Sequence, residues 1–161
     1  MASGVAGEFL QFLLQGQNQT NAKNFEWAAT AGDTCRLALV LSAYTFDPDT
    51  HEFMSSVGTN RANASAADVA DEDIVGITDP SVVTASNAVR CDASTTLYTF
   101  AGIDTSQTVL GCVLYWYDGT NNTDALRRII SNNEFSGGTI AADGSDIEVN
   151  LHADGLFELT Y

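Results

Sequence analysis

Leu37 to Phe53 reads LALVLSAYTFDPDTHEF. Its first half is an apolar run of strand type. Its second half contains the abrupt turn DPDTHE, residues 47–52, which holds two Asp, a Thr, a His and a Glu. The run reaches back to give CRLALVLSA at 35–43, and TVLGCVLYWY at 108–117 has the same texture. Both are apolar nearly throughout, as a strand must be when both of its faces are covered. Shorter candidates surround them: VVTASNAVR at 82–90, TTLYTFA at 95–101, LRRIIS at 126–131, DIEVNL at 146–151 and GLFELTY at 155–161. Val, Ile, Thr and aromatic residues dominate these segments, and Gly, Asp, Asn or Pro stand between them. YDGTNN at 117–122 carries an Asp-Gly pair typical of hairpins, and SGGT, ADGSD and HADG mark further turns. The pattern predicts a mainly β protein, a single β-sandwich or barrel-like domain over residues 35–161.

Residues 1–34 read as an N-terminal helix and arm. VAGEFLQFLLQ at 5–15 places Phe9, Leu10, Leu13 and Leu14 at helical spacing, and Gly16 supplies a stop. So short a helix must lean on something. Phe9, Phe12, Leu13, Leu14, Phe25 and Trp27 therefore form a candidate partner-binding surface. Nothing here reads as a signal peptide, because there is no basic n-region and Glu8 interrupts the apolar patch. The three Asn-x-Ser/Thr sequons, at Asn18, Asn63 and Asn121, are then coincidental. ANASAADVADED at 62–73 reads either as a short helix or as an acidic surface loop.

The chain has 161 residues, with 21 acidic side chains against six basic ones and a formal net charge of −15. Such a surface repels nucleic-acid phosphates and anionic membranes. It suits solubility, cation binding or docking on a basic surface. No apolar run approaches the roughly 20 residues that span a bilayer. Cys35, Cys91 and Cys112 sit in strand-like runs without CxxC or CxxH spacing, so zinc is not expected. They read as buried small hydrophobes, with a disulfide or an intersubunit crosslink as the alternative.

The DPDTHE turn is the first candidate for chemistry. Asp47, Asp49, His51 and Glu52 are metal-ligand types. Calcium loops, however, need several oxygens at set offsets and usually a glycine, whereas this turn has Pro48. A structural turn capped by Asp side chains fits better. No nucleophile, zincin or phosphate-loop motif occurs, so no catalytic residue, metal or cofactor is assigned. DVADED at 68–73 reads as a solvated acidic face. DALRRII at 124–130 sets Arg127 and Arg128 beside an apolar strand. Paired arginines fork onto carboxylates of the same chain or of a partner, and both join the candidate partner-binding residues.

One resemblance adds to this. LALVLSAYTFDPDTHEFMSSV resembles the opening strand of a family of small tailed-bacteriophage virion structural proteins. Leu39, Leu41, Ser42, Ala43, Tyr44, Thr45, Asp49, Thr50, His51, Glu52 and Phe53 carry it. TVLGCVLYWYDGT and IEVNLHADGLFELTY are similar to the family's late and closing strands, so the likeness runs over most of residues 35–161. RANASAADVADEDIVGIT replaces a stretch that is usually rich in Gly and Tyr. The resemblance implies a virion structural protein and brings no catalytic residues. The acidic chain favours a capsid decoration (cement) protein on the outer surface of the capsid, bound to the major capsid protein, and the threefold positions of a shell make a homo-oligomer naturally a trimer. A small tail or neck protein is the alternative, and a calcium-dependent carbohydrate-binding β module is a more distant one.

Overall fold

The computed structural model describes residues 4–5, 34–63, 71–74, 81–83, 88–91, 93, 97–117, 123–151 and 157–160; for 81–83, 88–91 and 157–160, as for 4–5, only the backbone is described. The protein is mainly β, built from antiparallel sheets, as the sequence predicts. In chain order the strands are β1 (Gly4–Val5), β2 (Thr34–Leu41), β3 (Glu72–Asp73), β4 (Ser81–Val83), β5 (Ala88–Cys91), β6 (Leu97–Phe100), β7 (Thr108–Tyr117), β8 (Ile129–Glu134), β9 (Ile140–Ala141), β10 (Ile147–Asn150) and β11 (Phe157–Thr160). One sheet runs β1-β8-β7-β2-β3, with β9 also on β7. β10 pairs with β6, and β11-β5-β4 form a further sheet.

β2 and β7 are the centre of the large sheet, and they are the two runs that are apolar nearly throughout. Their pairing sets Leu37 opposite Leu114, Ala38 opposite Val113 and Leu39 opposite Cys112. Leu37, Ala38, Leu39 and Val40 are all buried, as are residues 111–116. Consecutive buried residues on one strand mean that both faces are covered. β6 and β10 show the other pattern, alternating exposed and buried positions. Their inward side chains Tyr98, Phe100, Ile147 and Val149 join the same core as β2 and β7. Cys35 and Cys112 are both buried, and burial pushes the Cys112 thiol up to about 12, so it stays protonated. The side chain of Cys91 lies outside the described residues.

Several boundaries move. The 82–90 segment divides into β4 and β5, which pair with each other. The 126–131 strand slides to Ile129–Glu134, so that Leu126 lies in a turn and Ser131, Asn132 and Asn133 pair with β7. Those polar residues look like loop in sequence, but β7 supplies their backbone partners. Within 62–73, Ala62 and Asn63 form a turn and Glu72–Asp73 is a strand on β2, so the helix reading does not hold there. The 64–70 part lies outside the described residues. In the expected helix 5–15, Val5 is instead in β1, against Ser131 of β8. The rest of that helix also lies outside the described residues, with Phe9, Phe12, Leu13, Leu14, Phe25 and Trp27. The SGGT turn forms as expected: Gly138 takes φ 86°, and its N–H donates to the Phe135 carbonyl at 3.0 Å. Only glycine adopts that backbone without strain.

Candidate functional site

The chain leaves β2 at Leu41 and turns at once. The Tyr44 N–H donates back to the Leu41 carbonyl at 2.9 Å, and both Tyr44 and Phe46 are buried. The Asp47 carboxylate accepts the Asp49 N–H at 3.0 Å across Pro48. This is the backbone-capping role that Asp plays at turns, and those hydrogen bonds hold the Asp47 carboxyl below its usual range. The His51 N–H donates to the Asp47 carbonyl at 2.9 Å. His51 Nδ1 accepts the Asp47 N–H at 3.3 Å and lies 3.2 Å from the Tyr44 hydroxyl. Its ring stacks on Tyr44 at 5.5 Å and meets Phe46 edge-on at 6.1 Å. Burial pushes the Tyr44 phenol up to about 12, so it remains a donor.

The two constellations singled out in the sequence meet here. Residues 52–55 run beside residues 124–129. The Ile129 N–H donates to the Glu52 carbonyl at 2.8 Å, the Met54 N–H to the Arg127 carbonyl at 2.9 Å, and the Ser55 N–H to the Asp124 carbonyl at 3.0 Å. Glu52 forms an ion pair with Arg128, whose guanidinium also lies 4.9 Å from the centre of the Phe53 ring. Glu52 and His51 are thereby committed to the turn. Among the described residues no three His, Cys, Asp or Glu side chains gather as a metal site.

We expect His51→Ala to lower unfolding stability by about 1–2 kcal/mol, through the lost Nδ1 acceptor of the Asp47 N–H and two lost ring contacts. EDTA should leave the wild-type melting temperature unchanged. A drop on chelation that calcium reverses would instead make the turn a metal site.

Behind the turn lies a network that the sequence did not announce. Arg61 is 2% exposed, and its guanidinium forks onto Asp71, whose side chain is 1% exposed. The Tyr115 hydroxyl donates to the same carboxylate at 2.5 Å. Arg61 also reaches Asp124 at 3.3 Å, and Asp124 pairs with Arg127 at 2.7 Å. Arg127, itself 2% exposed, sits 5.0 Å from the Tyr117 ring centre, and Arg36 covers that ring at 4.2 Å while pairing with Asp73. Burial pushes the Asp71 carboxyl up, against the pull of Arg61 and Tyr115. Burial also opposes the Arg61 charge, but the Asp71 hydrogen bond and charge outweigh it and hold the guanidinium above its ordinary value. Since arginine does not give up its proton in a protein, a neutral Asp71 would leave the buried cation only Asp124, at 3.3 Å, as a counter-charge. The pair is ionised as a unit.

This corrects the reading of DVADED as a solvated face at Asp71, which is buried; Glu72 is half-buried, Asp73 is exposed, and 68–70 lie outside the described residues. Of the predicted contact residues, Arg127 is buried within the domain, and Arg128 keeps 31% of its side chain exposed. No protein-family model, no curated protein and no solved structure matches this chain.

Proposed function

We propose that the protein is a structural component of a bacteriophage virion, a capsid decoration protein that binds the outer shell and stabilises it. One observation carries this reading. The residues behind the virion-protein resemblance, from Leu39 to Phe53, are spent on holding a strand end: Tyr44 and His51 lock the turn, and Glu52 ties it to Arg128. A motif used in this way builds a module rather than a reacting centre. The charge of −15 suits an outer surface that meets a basic patch and stays clear of DNA. The partner is the major capsid protein, and a trimer fits the threefold positions of a shell. The N-terminal set from Phe9 to Trp27 stays the proposed contact surface, together with Arg128. Arg127 serves the fold.

A protein that binds only the assembled shell stabilises it by mass action, by about 2.7 kcal/mol per site at a hundredfold excess over Kd. Particles lacking the protein should therefore release DNA on heating at a lower temperature than decorated ones. Equal heat resistance, or protein found only at the tail, overturns decoration.

A further inference from the structure

A groove of about 580 Å³ opens beside the core. Leu37, Cys112 and Leu114, from one face of the large sheet, form its floor. Residues 148–151 line the groove without a gap, and so do residues 133–138. Side chains alternate along a strand, so consecutive residues can all line one cavity only when the strand's edge faces it. β10 therefore turns an edge to the groove, and among the described residues β6 is its only strand neighbour. Ile140, 40% exposed, stands on the lip. Glu134 and Glu148 both line the groove, and among the described residues no Lys, Arg or His does.

We infer that this groove binds an extended basic-apolar peptide segment from another protein, added as a strand along β10. That edge, which no other described strand occupies, supplies backbone donors and acceptors, which is how a sheet edge captures a peptide. The more accessible apolar lining residues, Phe135, Ile140 and Leu151, take alternate side chains, and the two glutamates select Lys or Arg. The four residues of β10 offer room for a segment of about four residues, at roughly 3.3 Å each. A second copy of this chain is a poor source of such a segment. It has six basic residues, and Arg36, Arg61, Arg127 and Arg128 are engaged inside the fold. Assigning the segment to the capsid shell protein rests on the decoration reading; the groove's preference for a basic strand does not.

The test uses the full chain, labelled for backbone amide NMR, and two synthetic hexapeptides, one alternating Lys and Val, the other Glu and Val. The lysine peptide should give saturable shifts confined to residues 133–140 and 147–151, and the glutamate peptide none. Glu134→Lys combined with Glu148→Lys should weaken the lysine peptide about tenfold and admit the glutamate peptide. Neither glutamate is buried, and thermal unfolding of the double variant checks that the fold is kept. Ile140→Ser should weaken binding without altering the charge preference. Absence of shifts at millimolar peptide, equal response to both peptides, or shifts elsewhere overturns the inference. A protein that ignores both peptides yet coats particles loses the groove and keeps decoration. One that binds the lysine peptide and never coats particles does the reverse.

Discussion

Asp71→Ala should lower the unfolding free energy by about 3–5 kcal/mol, the usual cost of stripping one partner from a buried ion pair. The guanidinium of Arg61 would stay charged at 2% exposure, with Asp124 at 3.3 Å as its remaining carboxylate. The Tyr115 hydroxyl would lose its acceptor as well. Arg61→Met should cost a similar amount for the converse reason, since it bares the carboxylate. Combining Arg61→Met with Asp71→Leu should cost less than the two singles added together, because no unpaired charge is left. Urea unfolding of the four proteins measures the coupling. Additive losses, or a loss below about 1 kcal/mol for Asp71→Ala, would show that the pair does not tie Arg61 and Asp71 together in the core.

Gly111→Ala should cost about 3 kcal/mol, from overpacking. Gly111 lies in β7 between Val40 of β2 and Glu134 of β8. A Cβ there would stand 2.8 Å from the Glu134 Cα and closer still to the Asn133 carbonyl oxygen. Both obstacles are backbone, so no rotamer change relieves the clash; β8 itself must move away. The loss should appear in thermal unfolding and, locally, as faster amide exchange along residues 129–134. Gly137→Ala, which meets nothing within 4 Å, is the control and should be nearly neutral. A Gly111→Ala protein as stable as the wild type would mean that β8 does not approach β7 as closely as described.

Neither effect could be read from the chain. Arg61 and Asp71 are ten residues apart, in a stretch whose composition says solvated acid face. Their burial depends on Tyr115 and Asp124, which arrive from distant segments. Gly111 left a faint signal, since a glycine inside an apolar strand often marks a close backbone approach, but only the register of β7 on β8 says what approaches. The candidate site was half legible. DPDTHE announced a turn through Pro48 and its flanking Asp residues, and it is one. That Glu52 would meet Arg128 was not readable, because the contact needs residues 52–55 to lie beside residues 124–129.

The sequence alone determined the mainly β class and the two central strands. For TVLGCVLYWY even the ends are right, at Thr108 and Tyr117. A strand covered on both faces must be apolar at nearly every position, and that demand is written locally. The tertiary structure decided which polar residues became strand or core. Ser131, Asn132 and Asn133 are strand because β7 accepts and supplies their backbone hydrogen bonds. Asp71 is core because Arg61 and Tyr115 neutralise and satisfy it there. A polar group's place depends on the partner that meets it, and distant segments meet only when the chain is folded.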